Sequence, residues 1–279
     1  MSRTGKNTPG FCDAEMKDLP DLKEALEIMK KLAVDAGKEI LKFYKKELEI
    51  EYKKDESPVT DADKAADGII VRGLKERFPD MPVLSEESAD DLSRQGERFC
   101  FIVDPLDGTR EFIKENDEFT VNIALTEWGR PVAGVIYVPV YDELYYAARS
   151  LGAWSYINGL EKRITVSRRT KDIRLARSRS HYAPEMDRLI AVNDIRNVIT
   201  AGSAYKGCLL ARGDVEVYYR FGKTMEWDTA AMDIIVTEAG GIFSGMDGKA
   251  FVYNKQNPEN PTGFYALNRK ENALKTAME

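Results

Sequence analysis

Residues 99–109 read Phe-Cys-Phe-Ile-Val-Asp-Pro-Leu-Asp-Gly-Thr, an apolar run that ends in two aspartates. The run is typical of a buried strand, and a helix is predicted to follow over residues 110–116. Such a strand would deliver the carboxylates of Asp104 and Asp107 to one point. Two anions in a partly dry site repel each other unless a cation lies between them. The stretch therefore predicts a divalent cation bound by hard oxygen ligands at the end of a buried strand.

The composition of the chain excludes several classes of function. Its 279 residues carry a net charge of −6, which disfavours nucleic-acid binding. The single histidine, His181, excludes a His-rich metal site, and the three cysteines are too scattered for a zinc motif. Cys100 and Cys208 stand in apolar runs and are expected in the core. No apolar run approaches the roughly 20 residues of a membrane span, and residues 1–10 lack the apolar core of a secretory signal. We therefore expect a cytoplasmic protein without stable membrane insertion.

Helical and strand patterns alternate along the chain, which indicates an α/β (α+β) protein. Asp21 is expected to cap an amphipathic helix that reaches residue 46, and a second helix is expected from residue 60 to residue 78. Strands are predicted at residues 120–127, 131–138, 143–148, 152–157 and 162–166, and from residues 242, 251 and 264. The turn dipeptide Asn158-Gly159 predicts a hairpin, and Gly240-Gly241 predicts a helix stop.

The chain is expected to divide into a short tail and two halves that pack as one unit. Residues 1–20 form the predicted N-terminal tail, and residues 21–167 form an N-terminal α/β half with most of the metal ligands. A basic segment begins the C-terminal α/β half, residues 168–279, which we expect to supply the last metal ligand.

Four acidic sites at the ends of predicted elements are candidates for the cation site: Asp63, Glu86 with Glu87, Asp104 with Asp107, and Asp228. Each also has a purely structural interpretation that the residues leave open. Asp63 and Asp228 stand at helix starts, where acidic side chains commonly serve as caps. The pair of glutamates could lie in a solvated turn, and the pair of aspartates could form an Asx-turn.

Taken together, these residues resemble the signature of one enzyme family. Its elements are present in order as Asp63, Glu86-Glu87, Asp104-Pro105-Leu106-Asp107-Gly108-Thr109, Trp227-Asp228 and Gly240-Gly241. This pattern is similar to that of the lithium-sensitive, magnesium-dependent phosphatases of the inositol monophosphatase superfamily. The resemblance spans nearly the whole chain from about residue 22, and it implies a layered αβαβα sandwich of the sugar-phosphatase type.

The resemblance also implies a ligand set for two to three magnesium ions. Glu86, Asp104 and the backbone carbonyl of Leu106 would hold one ion, and Asp104, Asp107 and Asp228 would hold a second. Asp104 would thus bridge the two ions. A third, weaker ion would use Glu86 and water.

A catalytic pair follows from the same resemblance. Thr109 and Asp63 would position the attacking water, with Asp61 as the alternative to Asp63, and Glu86 would also take part in catalysis. Gly108 and Thr109 would bind a phosphate oxygen, since glycine permits close approach of the backbone.

The sequence that follows Thr109 resembles the 3′(2′),5′-bisphosphate nucleotidase branch of the superfamily. The residues that carry this resemblance are Arg-Glu-Phe-Ile-Lys at 110–114 and Glu-Phe-Thr-Val-Asn-Ile-Ala-Leu at 118–125. The resemblance implies hydrolysis of the 3′-phosphate of 3′-phosphoadenosine 5′-phosphate (PAP) to AMP and phosphate, with its sulfated precursor PAPS as a further candidate. Inositol monophosphatase or a related sugar phosphatase is the alternative, and a non-catalytic metal or nucleotide sensor is a second. A small phosphate ester is the expected partner, and the protein is expected to be a monomer or homodimer.

Substrate contacts beyond the reacting phosphate are expected mainly from the second half. The candidate substrate-binding residues are Gly108, Thr109, Ser180, His181, Ser203, Lys206 and Arg220, and the basic Arg179 is a further candidate. Two of them also have a structural interpretation: Lys206 could be a solvated helix residue, and His181 could be an ordinary loop residue.

Overall fold

The computed structural model describes residues 20–46, 50–52 and 58–276, so the predicted tail lies almost wholly outside the described residues. Six α-helices occur in that part of the chain: α1 (Leu22–Phe43), α2 (Asp61–Arg77), α3 (Thr109–Ile113), α4 (Pro184–Val192), α5 (Tyr205–Ala211) and α6 (Glu226–Glu238). A short 3-10 helix covers Lys270–Asn272.

The strands of the first half are mostly assembled into one sheet. A small hairpin pairs β1 (Ile50–Tyr52) with β2 (Pro58–Thr60). A seven-stranded sheet follows with its strands in chain order: β3 (Val83–Ser85), β4 (Phe99–Asp107), β5 (Thr120–Glu127), β6 (Arg130–Val138), β7 (Glu143–Ala148), β8 (Gly152–Ile157) and β9 (Leu160–Ile164). Only β3 and β4 pair in parallel, and the other neighbours are antiparallel.

The second half contains the strands β10 (Arg174–Ser178), β11 (Asn197–Ala201), β12 (Val217–Arg220), β13 (Thr224–Met225), β14 (Ile242–Gly245), β15 (Glu259–Asn260) and β16 (Phe264–Leu267). Five of them form one sheet in the order β11-β10-β12-β16-β14. The short strands β13 and β15 pair with each other.

The two sheets and the helices stack in five layers, because alternate residues of each strand face opposite cores. On β4, Phe101 and Val103 pack with the apolar faces of α1 and α2. Ile102, on the other face, packs with α5 and α6, which lie between the two sheets. The outer face of the second sheet is covered by α4, where Leu189 joins the third core. The predicted αβαβα sandwich is therefore confirmed.

Several local predictions are confirmed by the backbone. Asp21 caps α1, with its Oδ1 accepting from the backbone N–H of Lys23 at 2.9 Å. Asn158 and Gly159 both have positive φ, as the predicted hairpin turn requires. Gly240, at φ 87°, ends α6. Cys100 and Cys208 are buried free thiols, as expected for core residues.

Two predicted elements differ from the structure, and one helix was not predicted. The helix predicted over residues 110–116 spans only Thr109–Ile113, since the chain takes positive φ at Glu115. No strand begins at Phe251; its backbone carbonyl instead accepts from Arg130, and its ring packs in the core. The helix α4 was not predicted, because its exposed surface weakens the apolar period. Among the described residues, no helix has the length and apolarity that crossing a membrane would need.

Candidate active site

A β-bulge in β4 brings the two aspartates of the opening motif to the same face of the sheet. Asp104 pairs with Asn122 of β5 and Asp107 pairs with Thr120, so two residues of β4 lie opposite one residue of β5. Side chains three positions apart on a regular strand point to opposite faces, and the extra residue of the bulge reverses that alternation. Pro105 suits this position because it has no N–H to contribute to the ladder. The motif is therefore a bulged strand, and within it Asp104 also makes the Asx-turn bond that its sequence left open, since its Oδ1 accepts from the backbone N–H of Leu106.

The third carboxylate of the cluster comes from the first turn of α6. One carboxylate oxygen from each of Asp104, Asp107 and Asp228 lies within 4.8 Å of the others. Asp228 also caps α6, because its Oδ2 accepts from the backbone N–H of Met225 at 2.7 Å. The structural and the metal-binding interpretations of Asp228 are thus compatible, since one oxygen caps the helix and the second can bind a cation.

Asp107 divides its two oxygens in the same way. Its Oδ2 accepts from Thr120 Oγ1 at 3.3 Å, from Asn122 Nδ2 at 3.2 Å and from the backbone N–H of Ala204 at 2.6 Å. These bonds fix the orientation of the carboxylate, so that Oδ1 is the oxygen with which Asp107 can bind a cation. In Asp104 it is Oδ1 that accepts an internal bond, from the backbone N–H of Leu106 at 3.1 Å.

The electrostatics of this cluster match a site for a divalent cation. Burial, followed by the negative charges of Glu86, Asp107 and Asp228, raises the pKa of Asp104 well above its usual value. Burial also raises the pKa of Asp107, against the lowering effect of Lys206. Burial and the charge of Asp107 raise the pKa of Asp228 to about 8. Hard oxygen donors that repel one another in this way suit Mg²⁺, whose charge removes the repulsion.

Glu86 reaches the same cavity from the end of β3. The backbone N–H of Glu86 donates to the carbonyl of Val103 at 3.2 Å, which continues the pairing of β3 with β4. Asp67 of α2 holds both sides of this segment: its carboxylate accepts from Ser85 Oγ at 2.5 Å and from Ser88 Oγ at 2.8 Å. The Glu86 loop is therefore tied to α2 by side-chain hydrogen bonds and is not a simple solvated turn.

Asp63 and Thr109 form the hydrogen-bonded pair that the resemblance implies. Asp63 is 2% exposed, and its Oδ2 accepts from the N–H and the hydroxyl of Thr60 at 2.8 and 2.7 Å. Its Oδ1 accepts from Thr109 Oγ1 at 3.2 Å. Asp63 is thus a helix cap and a partner of Thr109 at once, while Asp61 is exposed to solvent. Burial raises the pKa of Asp63 against these bonds.

A cavity of about 410 Å³ joins the carboxylate cluster to a group of basic side chains. Lys206 is 3% exposed, so it is not a solvated helix residue; its Nζ donates to the carbonyl of Ser203 at 2.6 Å. Burial lowers the pKa of Lys206 to about 8. Desolvation and the positive charges of Arg220, Lys206 and Arg110 lower the pKa of His181 to about 4, so its ring is neutral at pH 7.

Most of the expected site residues line this cavity, but not all of them do. Asp63 lies behind Thr109, Ser180 does not line the cavity, and Arg179 is instead paired with Glu118 at 2.7 Å. The expected residues that do line it are Glu86, Asp104, Leu106, Asp107, Gly108, Thr109, His181, Ser203, Lys206, Arg220 and Asp228.

Reasoning from the sequence missed several residues that shape the site. Arg110 lines the cavity and adds to its positive charge. Thr120 and Asn122 donate hydrogen bonds to Asp107. Because they are two residues apart on a predicted strand, they had to share one face of the sheet, but the sequence did not indicate that this face carries Asp107. Asp67 could have been noticed because it stands one helical turn after Asp63 on the same face of α2.

Comparison with known proteins agrees with this geometry. The model of the inositol monophosphatase family matches residues 21–277. The 3′(2′),5′-bisphosphate nucleotidase CysQ of Salmonella typhimurium is 44% identical over 232 residues, which cover 82% of this chain and 93% of that protein.

Solved structures of similar proteins share the fold over nearly the whole length. One of them is CysQ from Bacteroides thetaiotaomicron, a bacterial member of the inositol monophosphatase family. It superposes with a TM-score of 0.78 at 38% identity, and the superposition covers 91% of this chain and 100% of that chain. An IMPase from Thermotoga maritima superposes with a TM-score of 0.75 at 26% identity over 88% of this chain and 92% of its own. The chain is therefore a member of the inositol monophosphatase family, and within that family it is similar to the CysQ proteins.

Proposed function

We propose that this protein is a magnesium-dependent phosphomonoesterase that hydrolyses the 3′-phosphate of PAP, giving AMP and inorganic phosphate, with PAPS as a second substrate. The observation that carries the proposal is the single cavity in which the carboxylate cluster of Asp104, Asp107 and Asp228 faces a buried cationic group. Similarity to nucleotidases over most of the chain supports the choice of substrate.

The carboxylates divide the task of holding two to three magnesium ions. Glu86, Asp104 and the backbone carbonyl of Leu106 would hold one ion, and Asp104, Asp107 and Asp228 would hold a second. A third, weaker ion would use Glu86 and water. When bound, the ions neutralise the charge of the phosphate dianion, orient the attacking water and stabilise the leaving oxygen.

Thr109 and Asp63 orient the attacking water and receive its proton. Thr109 Oγ1 donates to Asp63 Oδ1, so the lone pairs of Thr109 Oγ1 can accept a hydrogen bond from water. The raised pKa of Asp63 makes its carboxylate a stronger base. As the water oxygen bonds to phosphorus, its proton moves through Thr109 to Asp63. The bond between phosphorus and the 3′ oxygen breaks, and that oxygen takes a proton from solvent.

The basic end of the cavity is suited to a second anionic group of the substrate. Lys206 and Arg220 line it together with the neutral ring of His181, and Ser203 places its carbonyl on Lys206 Nζ. We assign these residues to the 5′-phosphate and the nucleoside, and Gly108 and Thr109 to the 3′-phosphate. Ser180 does not line the cavity, and we propose that it contacts the nucleotide only once the nucleotide is bound.

The proposal is tested with a panel of substrates under one set of conditions. Phosphate release by the purified chain is measured from PAP, PAPS, inositol 1-phosphate and fructose 1,6-bisphosphate with and without Mg²⁺, and with millimolar lithium. We expect the highest kcat/KM for PAP, dependence on Mg²⁺ and inhibition by lithium. A clear preference for inositol 1-phosphate would replace the nucleotidase assignment with that of an inositol monophosphatase. A protein that binds Mg²⁺ but releases phosphate from none of them would be a sensor.

We further propose that the enzyme acts in the cytoplasm as a monomer or homodimer. The buried free thiols of Cys100 and Cys208 are compatible with a reducing compartment. Sedimentation equilibrium at assay concentration distinguishes the two oligomeric states.

A further inference from the structure

The turn formed by Gly202, Ser203 and Ala204 has a strained backbone that is held by contacts from both halves of the protein. Ser203 adopts φ 43°, in the left-handed region that side-chain-bearing residues rarely occupy. The backbone N–H of Ala204 donates to Asp107, and Lys206 Nζ donates to the carbonyl of Ser203, each at 2.6 Å. The conformation of this turn therefore determines whether the Ala204 N–H can bind Asp107, a proposed metal ligand, and where the ammonium group of Lys206, a proposed substrate contact, lies.

Glu118, two residues before the start of β5, fixes the other side of the same turn. Its Oε2 accepts from the backbone N–H of Gly202 at 2.8 Å. The residue is 8% exposed, and its two oxygens also receive Arg179 Nε at 2.7 Å and Nη2 at 2.9 Å. A Cβ atom on Gly202 would lie 2.6 Å from the carbonyl oxygen of Glu118, so the turn packs directly against this residue. Glu118 thus joins a segment of the metal-bearing half to two segments of the substrate half.

We propose that Glu118 is a positioning residue for metal binding, an inference that rests on the proposed function of the site. By holding Gly202 and Arg179, Glu118 keeps the Ser203 turn strained and so keeps the Ala204 N–H on Asp107 Oδ2. That bond leaves Asp107 Oδ1 directed to the cation. Without Glu118 the strained turn relaxes, the N–H leaves Asp107, and the carboxylate rotates away from its productive orientation.

The far end of β5 offers a matched control for the loss of a buried ion pair. Glu127, the last residue of β5, accepts from Arg98 Nη2 at 2.6 Å and from Arg149 Nη1 at 2.7 Å. The side chains of Glu127 and Glu118 are both 11% exposed. Removing the charge of Glu127 therefore costs a comparable ion pair without touching the Ser203 turn.

The test compares Glu118→Gln with Glu127→Gln in the full chain. Binding of Mg²⁺ is measured by isothermal titration calorimetry, and the Mg²⁺ concentration for half-maximal hydrolysis of PAP is measured alongside. We expect Glu118→Gln to weaken both by about tenfold, the usual effect of losing a hydrogen bond to a charged ligand group. Glu127→Gln should leave both within about twofold of the parent chain, since the partners of Glu127 are Arg98 and Arg149 and it makes no contact with the Ser203 turn. Equal Mg²⁺ binding in the two variants would overturn the proposal.

A double-mutant cycle with Ser203→Gly separates positioning of the turn from general damage. Glycine adopts positive φ without strain, so the turn no longer needs Glu118 to hold it. The tenfold effect of Glu118→Gln on Mg²⁺ binding should fall to about twofold or less in the Ser203→Gly background. An undiminished effect there would refute the mechanism. If Glu118→Gln does not fold, Glu118→Asp, whose shorter side chain cannot reach both partners, takes its place in the same cycle.

The calorimetric readout keeps this inference separate from the proposed function. A parent chain that binds Mg²⁺ but does not hydrolyse PAP would contradict the nucleotidase assignment only. The comparison of Mg²⁺ binding between the Glu118 and Glu127 variants would still decide whether Glu118 positions the site.

Discussion

Asp233 is a buried acid of α6 outside the carboxylate cluster, and its replacement by Asn should make the protein more stable at alkaline pH. Asp233 is 4% exposed, and its Oδ2 accepts from the hydroxyl of Tyr253 at 3.1 Å. Burial raises its pKa from 3.8 to about 7, although Arg130 and the bond from Tyr253 act in the opposite direction. The folded state thus resists the ionisation of Asp233 that the unfolded chain undergoes freely.

The size and sign of the effect follow from this raised pKa. Because the folded pKa is the higher one, the contribution of Asp233 to stability is fully present below pH 3.8 and is lost as the pH rises to about 7. A tenfold change in an ionisation equilibrium is worth about 1.4 kcal/mol, so the whole loss is at most about 4 kcal/mol. Roughly 3 kcal/mol of that loss falls between pH 5 and pH 8. Asn cannot ionise, and its side-chain oxygen can still accept from Tyr253.

Guanidinium unfolding at pH 5 and pH 8, with equal Mg²⁺ in all samples, measures this difference. The stability of Asp233→Asn relative to the parent chain should increase by about 3 kcal/mol between the two pH values. Asp194→Asn is the control: Asp194 is fully exposed, and Arg196 lowers its pKa, so it does not titrate in this range. A difference between Asp233→Asn and the parent chain that is the same at both pH values would refute the reasoning.

Three further substitutions test separate parts of the site. Lys206→Met should raise the KM for PAP at least about tenfold, because it removes a charge paired with the second phosphate. Hydrolysis of a simple phosphomonoester such as p-nitrophenyl phosphate should change much less, and equal losses on both substrates would contradict the assignment. Thr109→Val should lower kcat for PAP by about 10²-fold or more, because it removes the proton path from water to Asp63. The thermal unfolding temperature and Mg²⁺ binding should change little, and a kcat near that of the parent chain would exclude this path. Asp67→Ala should raise the Mg²⁺ concentration for half-maximal activity about fivefold, because two serines no longer hold the Glu86 loop; an unchanged Mg²⁺ requirement would show that the loop does not need this support.

Much of the fold and of the metal site is encoded locally and could be predicted from the sequence. The apolar run before Asp104, the cap at Asp21 and the turn at Asn158-Gly159 are short-range signals, and the structure confirms them. No local signal joins Asp228 to Asp104; only the resemblance to the family signature implied that they belong together, and the two lie in one cluster.

Features that depend on tertiary contacts could not be predicted. The bulge in β4 is visible only in its register with β5, and without it Asp104 and Asp107 would lie on opposite faces. Glu118 appears in sequence as an ordinary acidic residue before a strand. Its role depends on Arg179 and Gly202, which are 61 and 84 residues away along the chain. The burial of Lys206 likewise results from the packing of α5 between the two sheets.

The most direct test of the central claim compares the parent chain with Asp104→Asn for Mg²⁺ binding and release of phosphate from PAP. Asn keeps the shape of the side chain and can still accept from the backbone N–H of Leu106, but it removes the charge of the proposed bridging ligand. We predict that the parent chain releases phosphate only with Mg²⁺. In Asp104→Asn, kcat should fall by about 10³-fold or more and calorimetric Mg²⁺ binding should weaken, while the protein remains folded by circular dichroism. Undiminished phosphate release by Asp104→Asn, or release by the parent chain without any divalent cation, would contradict the account.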